Sequence, residues 1–580
     1  MPATTPTGNG HTNTPAPPPS TPPPSTPPSS APGDPVLDGP DGPPPGGPVP
    51  GGPVLDGPDG PPPGGPVPGG LVPGGLAPGG PVLAGGVPAG PAGSSAGVQW
   101  DAGGLAGGAG GVERVGRLAG VALAAVAAGT RTRGGPAPAG GPDAVAEAVR
   151  TACPAVLPEA GLGAEAALRA VVQAVAAGAT DPADPLCAAH LHGPPLAVAA
   201  VADLAASMLN PSLDSWDQAP AASELERLVT AAVAALAYPG RPSPDAVITT
   251  GATESNLLAL LLARERAAAP VRLVCSDEAH HSLARAAWLL GLPPAVLVPS
   301  RNGRLHPDDL AAALDRTPGP HVVAATAGTT GRGVIEPLGA IADVTAARGV
   351  HLHVDAAYGG GLLFSDTRRG LLAGLDRADT VALDLHKLGW QPLAAGLLAV
   401  AEAGLLAPLS IRADYLNAGD DTEAGLPDLL GRSIRTSRRP DALKMAVTFQ
   451  ALGRAGLGRL IDRCCDAAAA AAAQIAGRPG LRLLAEPELS TVLFRPTAAD
   501  QLGGAAGDAL VAEVRRSLLG NGRAVLGRAS AGRPTGRQLW LKLTLLNPYA
   551  TGADVSRLLD LVERATAETI ARPGPPSRAT

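Results

Sequence analysis

Between residues 246 and 402 the chain carries seven short apolar runs: "AVITTG", "VRLVCSD", "AVLVPS", "HVVAATAG", "HLHVDAAYGG", "TVALDLHK" and "AAGLLAVAE". Such runs read as buried strands, and the segments between most of them are helical and about ten residues or longer. Connections of that length make right-handed crossovers, which set successive strands parallel and cover both faces of the sheet with helices. The last two runs are joined only by "LGWQPL", too short for a crossover, so they are expected to pair antiparallel. The expected fold class is α/β, with a mixed seven-stranded sheet in a large domain.

The flanks differ. Gly (77) and Pro (65) are abundant among the 580 residues, and "PVLDGPDGPPPGGPVPGG" occurs twice in succession over residues 35–70. Glycine does not recur at every third position there, which excludes a collagen helix, and so few large apolar groups cannot offset the entropy of ordering the segment. Residues 1–111 are therefore expected to be a disordered tail. From 112 to 226 the pattern is helical and alanine-rich, and Ser223, three residues before Glu226, has the spacing of a capping box at a helix start. Residues 227–444 hold the sheet. Residues 445–568 return to helix and then supply "ELSTVLFRP" and "QLWLKLTLLNP", strands of a smaller α+β C-terminal domain, and 569–580 read as a second tail.

A net charge of -7 and a pI near 5.8 leave no clustered basic surface, so neither nucleic acid nor a membrane surface is an expected partner. The run "LAGVALAAVAAG" is well short of the roughly 20 residues of a membrane span, and "MPATTPTGNGHTNT" lacks the regions of a signal peptide. Five cysteines, odd in number and without a CxxC pair, indicate neither a disulfide framework nor a metal site. A cytoplasmic protein acting on a small molecule is expected.

Sheets of this kind bind ligands at the carboxyl ends of their strands. After "AVIT" comes "TGATESNLLALLLAR", a glycine turn with Thr253 at the cap of a strong helix: an anion site, or an ordinary threonine cap. After "VRLVCSDEA" come His280 and His281, which a helix start would also accommodate. Asp355 in "DAAYGG" ends a strand among small residues that leave room for a flat ring; a satisfied structural carboxylate reads the same way. Lys387 closes "TVALDLHK", and a buried ammonium must pair, snorkel or serve as a nucleophile toward carbonyls. Together an anion cap, a stacking imidazole, a ring-nitrogen carboxylate and a Schiff-base lysine are the parts that hold pyridoxal 5'-phosphate.

The motifs "DSWDQAPAASELE", "TTGATESN", "SDEAHHSLARAA", "HVDAAYGG", "DLHKLGWQP" and "RTSRRPDALK" stand in the order and spacing of PLP-dependent group II amino-acid decarboxylases. From about 185 to 560 the chain resembles that family, and within it the branch of L-2,4-diaminobutyrate decarboxylases. The resemblance implies PLP fold type I, like aspartate aminotransferase, with catalysis by Lys387, His280 and Asp355. Lys387 corresponds to the lysine that binds the cofactor, His386 to the histidine before it and Asp355 to the partner of the ring nitrogen. Ala357 and His280 correspond to the residues on the two ring faces, Ala252 and Thr253 to the phosphate pair, and Thr329 to a residue near the cofactor. The family's site lies at a dimer interface, which implies a homodimer with 112–226 as the dimerisation segment.

On the substrate side, Trp216 and Asp217 in "SWDQAP" match a segment that borders the pocket, and His192 is a further lining candidate. A carboxylate at 217 would pair with the distal ammonium of a diamino acid; a solvated loop aspartate is the ordinary alternative. Aromatic-specific relatives carry a tyrosine on a mobile loop, whereas "EAGLPDLLGRSIRTSRR", residues 423–439, has none and Tyr415 lies upstream. Ser433, a held water or a histidine then becomes the candidate proton donor to Cα. Decarboxylation of another amino acid, an aldehyde-forming or other PLP reaction, and an inactive scaffold displaying the Pro/Gly tail are the rival readings.

Overall fold

The computed structural model describes residues 104–410, 413, 415–532 and 536–572. The tandem repeat and most of both expected tails lie outside these residues. The first helices span Gly111–Arg133 and Gly141–Ala152, and a two-residue strand follows, β1 (Cys187–Ala188).

Each of the seven apolar runs forms a strand: β2 (Asp245–Thr249), β3 (Arg272–Ser276), β4 (Val296–Val298), β5 (His321–Thr326), β6 (His351–Ala356), β7 (Thr380–Asp384) and β8 (Gly396–Val400). They make one sheet in the order β2-β8-β7-β6-β5-β3-β4. The short link does pair β7 and β8 antiparallel, and β2 is also antiparallel to β8, so β8 alone runs against the other six. Six carboxyl ends therefore share one edge. Alternate residues enter cores on opposite faces. Val274 and Val323 join the core beneath the helix Pro220–Ala237, while Leu273, Cys275 and Val322 pack beneath the helix Ala252–Arg266. With both faces covered the strands need no polar alternation, which is why they read as continuous apolar runs.

The smaller domain is a five-stranded sheet, β1-β11-β12-β10-β9, with β9 (Leu481–Leu483), β10 (Thr491–Pro496), β11 (Val525–Ala531) and β12 (Gln538–Thr544). The long helix Ala442–Ala476 ties the two domains, with Met445, Leu457 and Ile461 in the large core and Ala468, Ala472 and Ile475 in the small one. The last helix runs through Ala571, past the point where the sequence suggested a tail.

The expected capping box is absent. The helix starts upstream at Pro220, whose fixed φ and missing N–H suit a first helical position, so Ser223 and Glu226 lie inside it. Glu226 is instead paired with Arg438 at 2.8 Å, with side chains 3% and 2% exposed.

Candidate active site

The carboxyl ends of β2, β3, β5, β6 and β7 surround a cavity of about 380 Å³. The turn after β2 leads into the helix Ala252–Arg266, whose cap is Gly251; Thr253 is the second helical residue and not the cap. This turn passes over the start of β8 so closely that a Cβ on Gly396 would lie 2.5 Å from the Gly251 Cα. Only glycine allows that approach.

Lys387, Asp355, His280, Ala252, Thr253, Ala357 and His386 all line the cavity. Lys387 follows β7, and its Nζ lies 2.9 Å from Oδ2 of Asp384, a carboxylate that the sequence reading passed over. Asp384 is 3% exposed; its Oδ1 accepts the Ala252 N–H at 2.7 Å, and His386 Nε2 lies 3.5 Å from Oδ2. Burial lowers the pKa of His386, with Asp384 opposing the shift and Lys387 reinforcing it. The signal for Asp384 was present: a lone carboxylate in an otherwise apolar strand, three residues before the lysine.

Asp355 ends β6. Its Oδ1 accepts the Ala357 N–H at 3.1 Å and its Oδ2 accepts from Asn256 Nδ2 at 2.9 Å, which orients the buried carboxylate without a cation. His280 caps the helix His281–Leu289 by accepting the Ser282 N–H, so the ordinary reading of that residue is also correct. Burial lowers its pKa, against the opposing pull of Asp355, which favours the neutral ring.

Other expected site residues lie elsewhere. Thr329 is buried, but its hydroxyl accepts the Val334 N–H within its own loop, and its neighbours Gly328 and Thr330 line the cavity in its place. His192, Trp216 and Asp217 are surface residues and do not line the cavity; Leu191 does. Ser433 accepts the Arg435 N–H, and Tyr415 is 85% exposed.

The "RTSRR" segment has a structural role that its motif did not disclose. Arg435 reaches Glu254 on the cavity helix at 3.1 Å, and Arg438 makes the buried pair with Glu226. Just upstream, Arg432 binds Asp245 of β2 through both carboxylate oxygens, at 2.5 and 2.7 Å. Beyond Lys387, the Trp390 indole donates to the Leu546 carbonyl at 2.7 Å and joins the lysine loop to the small domain.

These residues fit pyridoxal phosphate. The cavity offers an amine, a held carboxylate, a helix N-terminus and an imidazole, and Ala252, Ala357 and Ala382 pack together as small residues beside them. Thr326 also lines the cavity, and its buried hydroxyl has no hydrogen-bond partner among the described residues.

Comparison with known proteins agrees with this chemistry. Residues 147–497 match the pyridoxal-dependent decarboxylase conserved domain. An L-2,4-diaminobutyrate decarboxylase from Rhizobium meliloti (strain 1021) is 40% identical over 424 residues, covering 71% of this chain and 84% of the relative. One from Acinetobacter baumannii is 31% identical, covering 69% and 83%. Among solved structures, the glutamate decarboxylase domain of a diaminobutyrate-pyruvate transaminase and L-2,4-diaminobutyrate decarboxylase from Vibrio parahaemolyticus superimposes with a TM-score of 0.70 at 28% identity, over 81% of this chain and 99% of that one. The chain belongs to the pyridoxal-dependent decarboxylase family and is a PLP-dependent amino-acid decarboxylase of fold type I.

Proposed function

We propose that the enzyme decarboxylates a diamino acid, with L-2,4-diaminobutyrate as the preferred substrate and 1,3-diaminopropane as the product, and that it works as a cytoplasmic homodimer. The observation that carries this reading is the 40% identity to a diaminobutyrate decarboxylase along 84% of that relative's length.

Bound pyridoxal phosphate supplies the electron sink that accepts the pair left at Cα when carbon dioxide departs. Lys387 is the amine that would hold the cofactor, in the cavity beside Asp384. Asp355 keeps a proton at the ring nitrogen, a charge interaction that counts for much more in a dry site than in water. His280 and Ala357, which both line the cavity, would flank the ring. The N-terminus of the helix Ala252–Arg266 would receive the phosphate at Thr253, because the Ala252 N–H is engaged by Asp384. Asp217 and Trp216, on the surface of one protomer, are candidates for recognising the distal ammonium at a site completed by a second copy. Exposed apolar side chains on the N-terminal helical segment, such as Leu123, Val156 and Leu157, support that association.

The test is carbon dioxide release by the cofactor-loaded enzyme from diaminobutyrate, ornithine, lysine, aspartate and the aromatic amino acids, with sedimentation run in parallel. Diaminobutyrate is expected to give the highest kcat/KM and the protein to sediment as a dimer. Preference for an aromatic or acidic substrate, or an active monomer, would overturn the corresponding part of the proposal.

A further inference from the structure

Behind the cavity lies a buried polar junction that the roles above do not use. Asn256, in the second turn of the helix Ala252–Arg266, is fully buried. Its Nδ2 donates to Asp355 Oδ2 and to Ser282 Oγ, each at 2.9 Å, and its Oδ1 lies 2.9 Å from His353 Nε2. His353 Nδ1 in turn lies 2.9 Å from Thr380 Oγ1, and His280 Nδ1 lies 2.7 Å from Ser282 Oγ. Asn256, Ser282, His353 and Thr380 are all at most 1% exposed.

The carboxylate sets the order of donors and acceptors. A carboxylate only accepts, so the amide nitrogen of Asn256 must face Asp355, which turns the amide oxygen toward His353. His353 then carries its proton on Nε2, and its bare Nδ1 accepts the Thr380 hydroxyl. Ser282 accepts from Asn256 and donates its hydroxyl hydrogen bond to His280 Nδ1, which also accepts the Ser282 N–H at 3.3 Å. His280 is left with its proton on Nε2. Were the Asn256 amide to turn over, its oxygen would oppose the Asp355 carboxylate, and Ser282 and His353 would each have to exchange donor and acceptor roles with their neighbours to keep their bonds.

We propose that Asn256 is a positioning residue for the decarboxylation: one amide holds the carboxylate that meets the ring nitrogen and, through Ser282, the imidazole that meets the ring face, while the His353 Nε2–H secures the amide oxygen. The inference rests on the reading of Asp355 and His280 as cofactor residues. Burial holds the His353 pKa down to about 4, which agrees with a neutral ring in this role.

The test uses His353→Leu, which removes the donor at similar volume, His353→Gln, whose amide can replace the Nε2–H donor, and Asn256→Asp, which puts an acceptor opposite Asp355. For each full-length protein we would measure the pyridoxal-phosphate dissociation constant, the spectrum of the bound cofactor, turnover and thermal unfolding without cofactor. His353→Leu and Asn256→Asp are expected to weaken cofactor binding and turnover about tenfold, the effect of leaving a buried polar group without its hydrogen bond, and to shift the cofactor spectrum. His353→Gln is expected to recover most of both losses. Unchanged affinity and spectrum in His353→Leu, or equal losses in the Leu and Gln variants that merely follow thermal stability, would overturn the proposal. Nitrogen-15 NMR of histidine in the cofactor-free parent checks the junction separately: a neutral His353 protonated on Nε2 is expected, and a charged or Nδ1-protonated ring overturns it. If the parent takes up no pyridoxal phosphate, the cofactor reading itself falls, and the positioning role with it.

Discussion

Acidification provides a direct energetic test of the buried His353. Its ring is 0% exposed on β6, and burial, opposed by the Asp355 charge, lowers its pKa from 6.5 to about 4. In the unfolded chain the ring takes up a proton as pH falls through 6.5, whereas the folded chain excludes that proton until about pH 4. The unfolded state therefore binds more protons across this window, and stability must fall as pH falls. At about 1.4 kcal/mol per pH unit, the step from 6.5 to 5 costs on the order of 2 kcal/mol from this residue. Urea unfolding of the cofactor-free protein at pH 7 and pH 5, compared with His353→Gln, isolates the contribution, because the other histidines are common to both proteins. The parent should lose about 2 kcal/mol more than the variant over that interval. Parallel losses would refute the argument and mean that the folded protein admits a proton to His353.

Asp355→Asn removes the charge and cannot accept from both Ala357 and Asn256 in its usual pose; turnover should fall about a hundredfold or more with cofactor still bound, as rate and dissociation constant measured together will show. Glu226→Ala leaves Arg438 uncompensated in a site 2% exposed, a loss of about 3–5 kcal/mol that urea unfolding would reveal, with faster proteolysis of residues 423–439. Ser433→Ala and Tyr415→Phe, both at positions outside the cavity, should leave the ratio of amine to aldehyde unchanged, which quantifying the two products checks.

The large sheet was legible because strands covered on both faces must be apolar throughout, and a six-residue link cannot cross over. The small sheet was less so. β11, with Gly527, Arg528 and Ser530, has no apolar period of its own and is a strand because β12 pairs along it. The helix start at Pro220 was missed because the Ser-x-x-Glu spacing suggested a cap, while the proline upstream already provided the first turn. At the site, Lys387, Asp355 and His280 could be read from their places after strands. Asn256 and His353 could not: one lies inside a helix and the other inside a strand, 97 residues apart, and only the fold brings them together. His192, Trp216 and Asp217 do not line the cavity, because their segments lie at the surface of the single chain.

The central claim is that Lys387 holds pyridoxal phosphate for amino-acid decarboxylation. Its most direct test follows carbon dioxide release from L-2,4-diaminobutyrate and the visible absorbance of the covalently held cofactor in the parent and in Lys387→Ala. Both signals are expected in the parent and neither in the variant. A variant that retained normal turnover, or a parent loaded with cofactor that released no carbon dioxide from any amino acid, would contradict it.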